Sequence, residues 1–211
     1  MLSFTLDTNC LIAVDEGRPE RTAVMEIIAA AKEGLADVAM VASCASERQV
    51  GGRYLSTIDE LRERMKALGF GHIVLLKPIM TWDLSFWDHG ILASEEQLTR
   101  QELIFRTLFP NTEPDWPAFA KARNLPPDDL TTRAAWHWRN KYCDVQAIWA
   151  HDNYGRDFFV TTDRDFDPIR SAAAFSTLQV VTPEAAAGHL PPRTGRNLPP
   201  SRGAPKRSRI R

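Results

Sequence analysis

Residues 157–163 read Asp-Phe-Phe-Val-Thr-Thr-Asp. Five successive aromatic or β-branched residues suit a buried, extended strand, and the run stops on an acid. The N-terminus repeats the arrangement: residues 2–6 are short and β-inclined and meet Asp7. Residues 37–42 (DVAMVA), 72–76 (HIVLL) and 178–182 (LQVVT) are further apolar runs of strand length. Helical signals lie between them. Val24, Ile27, Ile28 and Ala31 make an amphipathic stripe over residues 21–33. Ser43 offers an N-cap to a short helix that would carry Glu47. Thr57 with Glu60, and Ser94 with Gln97, are capping boxes that open helices to about residues 68 and 109. Residues 142–154 read as a helix ended by Gly155. Strands separated by helices predict an α/β fold, a parallel sheet with helices on both faces. Such sheets bind ligands beyond the carboxyl ends of their strands, so the residues just past each strand draw attention.

The rest of the chain sets bounds. Its 211 residues suffice for one domain with a real core. An apolar content of 44% and a charged content of 25% exclude a disordered or fibrous chain. No run approaches the roughly 20 apolar residues that span a bilayer, which predicts no membrane association. The N-terminus lacks a basic segment before Asp7, which argues against a signal peptide. Cys10, Cys44 and Cys143 form no CxxC pair, so neither a disulfide framework nor a zinc knuckle is expected, and the expected compartment is the cytoplasm. Residues 185–211 hold seven of the 26 basic residues and no acid. An acidic body, residues 1–184, therefore carries a basic tail rich in Pro, Gly and Ser, which is expected to be disordered. The tail reads as a solvated terminus or as a loose clamp on nucleic-acid phosphates. Residues 81–140 hold Trp82, Trp87, Trp116, Trp136 and Trp138, are punctuated by Pro110, Pro114, Pro117, Pro126 and Pro127, and read as a mostly helical insertion.

Four acids from four distant segments are expected at one sheet edge. Asp7 and Asp163 follow the first strand and the strand DFFVTT. Glu47 follows DVAMVA, and Asp144 opens the helix before the Asp163 strand. Any one of them alone suits a cap or a turn. Together they would repel, raising one another's pKa unless a cation neutralises them, and oxygen-only ligation favours Mg²⁺ or Mn²⁺. Asp165 could reach a second ion or cap the next short helix, whereas Asp167 suits a helix N-terminus. Asp152 shares the face of Asp144 but sits about 12 Å further along the axis, too far for the same ion.

These residues resemble a known family. LDTN at 6–9, Glu47 after a strand, Asp144 opening a helix and FVTTDRDF at 159–166 resemble the PIN-domain ribonucleases. The resemblance covers residues 1–79 and 141–184. It implies a three-layer parallel sheet of order 3-2-1-4-5 and metal-dependent cleavage of RNA to a 5′-phosphate and a 3′-hydroxyl. By position, Asp7, Glu47, Asp144 and Asp163 match the family's acidic quartet, and Asn9 and Thr162 match its polar helpers. Asn9 also reads as a turn former and Thr162 as a strand end. Many members are toxins held by an antitoxin protein and others mature ribosomal RNA. The resemblance allows either, and a homodimer.

Divalent ions would neutralise the phosphate, activate a water and stabilise the leaving oxygen. Arg139, Lys141 and Arg164 flank the acids and are candidates for phosphate contact, or else solvated surface residues. The tryptophans read as the core of the insertion or as a stacking surface for single-stranded bases. His72, His89, His137, His151 and His189 have no ligand spacing, and no GxSxG, P-loop or GxGxxG is present. Two rival readings remain. One is a metal-dependent phosphatase, faintly suggested by Asp163-Arg164-Asp165. The other is a non-catalytic PIN-like module for binding or assembly.

Overall fold

The computed structural model describes residues 1–46, 55, 57–82 and 84–192. Among them, five strands form one sheet: β1 (Ser3–Leu6), β2 (Asp37–Val41), β3 (Val74–Leu76), β4 (Phe158–Val160) and β5 (Gln179–Val181). Their order is 3-2-1-4-5 and every pairing is parallel. The fold is therefore α/β, as expected. β1 lies in the middle, with Phe4 in register with Val38 on one side and Phe158 on the other.

Alternate strand residues feed two apolar clusters. Phe4, Leu6, Val38 and Met40 meet Val24, Ile27 and Ile28 of α2 (Arg21–Lys32) and Leu61 and Met65 of α3 (Ile58–Ala67). Ala39, Val41, Phe159 and Val180 meet Ile104 and Phe105 of α4 (Glu95–Leu108) and Val145 and Trp149 of α6 (Arg133–Asn153). Burying side chains of this size stabilises by about 1.5–3 kcal/mol each, which is why strands of three to five residues suffice. Arg156 ties the amino end of the sheet. Its Nη1 donates to Asp37 Oδ2 (3.0 Å), and its Nη2 to the carbonyls of Phe4 (3.1 Å) and Asp37 (2.8 Å).

Several elements differ from the sequence reading. A helix not expected from the sequence, α1 (Thr8–Glu16), starts directly after β1. Its Cys10, Leu11, Ala13 and Val14 are buried on more than one side, so no clean stripe announces it. After β2 the chain makes a buried 3₁₀ helix, Ala42–Ser46, with Ser43 inside it and not at its N-cap. Glu47 lies outside the described residues. Helix α6 begins at Arg133, nine residues before the expected start, where the Thr132 hydroxyl accepts from the Ala135 N–H (3.1 Å). Within residues 81–140, α4 packs into the main core, while α5 (Trp116–Ala122) and α6 enclose a small cluster of Leu84, Phe119 and Trp138. The boundary expected after residue 184 cuts through α8 (Pro183–Gly188), whose Ala186 is fully buried with α2 side chains. Residues 193–211, with all seven basic residues of the tail, lie outside the described residues. A short helix, α7 (Asp167–Ser171), begins at Asp167, in keeping with its reading as helix-start chemistry. Among the described residues no helix is long and apolar enough to cross a membrane.

Candidate functional site

β1 and β4 are neighbours and end side by side, so the acids that follow them are delivered to one place. Asp7 is almost wholly buried, 4% exposed. Its backbone N–H continues the ladder onto Val160 O (3.0 Å), and its Oδ1 caps α1 by accepting from the Thr8 N–H (2.7 Å). Its Oδ2 accepts from Asn9 Nδ2 (3.1 Å) and from Thr161 Oγ1 (2.7 Å). The same Asn9 Nδ2 also donates to Asp163 Oδ2 (3.4 Å). One amide nitrogen thus spans two carboxylates, which lie no farther apart than two hydrogen-bond lengths. Asp163 itself is held by two backbone contacts. Its N–H donates to Thr161 Oγ1 (3.0 Å), and its Oδ1 accepts from the Asp165 N–H (2.8 Å).

Burial governs the charge on this pair. It lifts the Asp7 carboxyl to about 6. The Thr161 and Thr8 hydrogen bonds pull it down, and the Asp163 charge pushes it up. The Asp165 carboxyl, exposed at the surface, is also raised, first by partial desolvation and then by Asp163, with Lys141 pulling it back. Cys10, fully enclosed beneath the pair, donates Sγ–H to Val160 O (3.4 Å), and burial pushes its thiol up, so it is a packed thiol.

Asp144 is placed by its helix. His151 on α6 meets Thr5 Oγ1 of β1 through Nδ1 (3.0 Å). Asp144 is seven residues earlier, about 20° short of two full turns, so it shares the face that looks toward β1. It lies about 10 Å up the axis from His151, while Asp7 lies about 7 Å up the strand from Thr5. Arg139 of α6 reaches the end of the turn after β2, donating Nε to Ser46 O (2.9 Å), so α6 runs antiparallel to the strands. Both displacements then point the same way, so ideal helix and strand geometry sets Asp144, half-exposed, on the carboxyl side of Thr5.

The auxiliary residues divide. Asn9 joins the two acids. Thr162 does not: it is exposed, and the buried hydroxyl that binds Asp7 and the Asp163 backbone belongs to Thr161. Strand parity points to Thr161, which shares the inward face of Phe159, although the family position falls on Thr162. Lys141 donates to Thr112 Oγ1 (2.9 Å) and covers the Phe109 ring, yet remains near enough to Asp165 to act on it. Arg139 anchors the turn that leads to Glu47. Arg164 is exposed. Asp152 pairs with Arg100 of α4 (2.7 Å), away from the acidic pair.

Among the described residues, no three His, Cys, Asp or Glu side chains form a ready-made metal site. The donor chemistry nevertheless suits a hard cation, because the paired carboxylates offer only oxygen. Comparison of the chain with protein-family models, with curated proteins and with solved structures returned no match.

Proposed function

We propose that the chain is a three-layer, PIN-like ribonuclease of the cytoplasm that hydrolyses RNA phosphodiester bonds and depends on Mg²⁺ or Mn²⁺. The observation that carries this reading is the Asn9 amide bridging Asp7 and Asp163 across adjacent strand ends. A buried acid raised to about 6 beside a second acid is a costly arrangement that a divalent cation relieves. Asp7 and Asp163 would hold the ion, with Asp144, Glu47 and Asp165 as further oxygen donors. When bound, the ion supplies neutralisation of the phosphate and a water of lowered pKa. Asn9 and Thr161 keep the two carboxylates oriented before substrate arrives. Lys141 and Arg164 offer positive charge for the scissile phosphate, while Arg139 holds the turn before Glu47.

A non-catalytic module is a second reading. It is favoured by the hydrogen bonds of Asp7 to Thr8, Asn9 and Thr161, which also suit a side chain that only ties α1 to β4. Incubating the full chain with end-labelled RNA separates the two. The ribonuclease reading expects magnesium-dependent cleavage, lost in Asp7→Asn and Asp163→Asn. Cleavage that survives both substitutions, or an inert parent protein in Mg²⁺ and Mn²⁺, would defeat it.

A further inference from the structure

The loop after β3 is closed at its base and carries two tryptophans outward. The Met80 N–H donates to Ile91 O (2.8 Å) and the Ile91 N–H to Pro78 O (2.9 Å). Within it, the Leu84 and Ser85 N–H groups turn back to Thr81 O (3.2 and 2.9 Å), and Ser85 Oγ accepts from the Thr81 N–H (2.8 Å). Leu84 is only 5% exposed, seated beside Phe119 and Trp138, and Phe86 packs against the cluster under α3. Trp82 and Trp87 are 82% and 80% exposed. A loop that buries its smaller apolar side chains and leaves out its two largest presents a built surface, because aromatic rings of this size normally supply burial.

The loop touches the end of the turn after β2 on one side. Its Leu84 carbonyl accepts from the buried Ser46 hydroxyl, the last residue of that turn. Its Thr81 Oγ1 accepts from Gln146 Nε2 (2.9 Å), on the side of α6 opposite Asp144. On the other side it meets a basic cleft. His89 accepts from Arg62 Nη2 through Nε2 (3.0 Å) and donates through Nδ1 to Trp87 O (3.0 Å). His89 and Arg62 line a cleft of about 620 Å³ along the edge strand β3, with Lys66 and Lys77 in its wall. Three cations there outnumber Glu63 and Asp88 in the lining, and Arg62 also pairs with Asp59 (3.4 Å) at the surface.

We infer that Trp82 and Trp87, with the Arg62–Lys66–Lys77 cleft behind them, form a stacking track for single-stranded RNA that leads to the acidic edge. The inference rests on the ribonuclease reading for the identity of the polymer. Flat aromatic faces bind unpaired bases of any sequence, and a cationic groove follows their phosphates, whereas bases in a duplex have no free face to offer. The track also answers an electrostatic need, because the paired carboxylates repel the phosphate they are meant to process and affinity must come from elsewhere.

The test uses the full chain with Asp7→Asn, so that substrate survives, and a fluorescein-labelled unstructured RNA of about 12 nucleotides, within the footprint of single-strand binders. Fluorescence anisotropy is expected to show binding that weakens at least tenfold on adding Trp82→Ala with Trp87→Ala, stacking being worth about 1–3 kcal/mol per base. Trp82→Phe with Trp87→Phe should restore most of it, because a phenyl ring still stacks, and duplex RNA should bind more weakly and ignore all four substitutions. Unchanged affinity in the double alanine variant, or no binding of the single strand, overturns the track. The two readings fail separately. RNA cleavage by the parent together with tryptophan-independent binding removes the track and keeps the nuclease. Tryptophan-dependent binding by a parent that never cleaves keeps the track and removes the nuclease.

Discussion

Asp7 is ionised at neutral pH at a cost. Folding raises its pKa from 3.8 to about 6, so the folded chain holds this proton more tightly than the unfolded one. The resulting loss of stability is absent below pH 3.8 and complete above pH 6, where it reaches about 3 kcal/mol. Asp7→Asn should therefore raise the melting temperature of the metal-free protein at pH 7.5, with the gain vanishing near pH 4. His151 works in the opposite sense. Burial first, and Arg156 second, lower its pKa from 6.5 to about 4, so the fold refuses a proton that the unfolded chain accepts. Stability from this residue is full above pH 6.5 and falls by about 3 kcal/mol as pH drops to 4. In the parent these two slopes oppose each other; in Asp7→Asn the His151 slope is no longer offset by that of Asp7. Calorimetry in chelator should find the variant losing stability on acidification more steeply than the parent, and parallel profiles would refute this. Thr161→Val should cost about 1–3 kcal/mol and disturb the site, because it strips a buried donor from Asp7 and an acceptor from Asp163. Thr162→Val should stay within about 0.5 kcal/mol in urea unfolding, as an exposed position does. Asp7, Asn9 and Asp163 were legible as polar residues at strand ends. The choice between Thr161 and Thr162 was not, since it turns on a one-residue parity that a short strand leaves open.

Elements explain why the sheet was easier to read than the helices. Each strand is a short apolar run bounded by polar residues, and parallel pairing buries both faces, so composition alone marks it. The α1 segment has no polar face to give it a period, and the first third of α6 is masked by tryptophans that pack sideways onto α5. The course of α6 is nonetheless fixed at both ends of the sheet, through the contact of His151 with Thr5 and of Arg139 with Ser46. The amino end of the sheet can be weakened without touching that edge. Arg156→Ala removes three hydrogen bonds that join β1, β2 and the segment before β4. It should cost about 2–4 kcal/mol in chemical denaturation while leaving the Mn²⁺ affinity as in the parent. A large change in Mn²⁺ affinity would mean that the two ends are coupled.

At the scale of the whole molecule, the folded body extends past the change in composition. The basic, proline-rich stretch begins as a composition near residue 185, yet α8 and Leu190 still pack against the cluster around α2. A chain ending at residue 184 should lose several kcal/mol relative to one ending at 192, because the first exposes the apolar face of α2 and the second keeps it covered. Equal thermal stability of the two truncations would show that α8 contributes nothing. The arrangement as a whole joins an acidic carboxyl edge, a loop with two exposed tryptophans beside it and a cationic cleft along the β3 edge. The measurement that bears most directly on this account is a titration with Mn²⁺, read by the loss of the free-ion paramagnetic resonance signal, for the parent, Asp7→Asn and Asp163→Asn. The account predicts that the parent takes up the ion and that each substitution abolishes uptake while the protein stays folded. A parent that leaves Mn²⁺ free in solution, or variants that bind it as the parent does, would contradict the account.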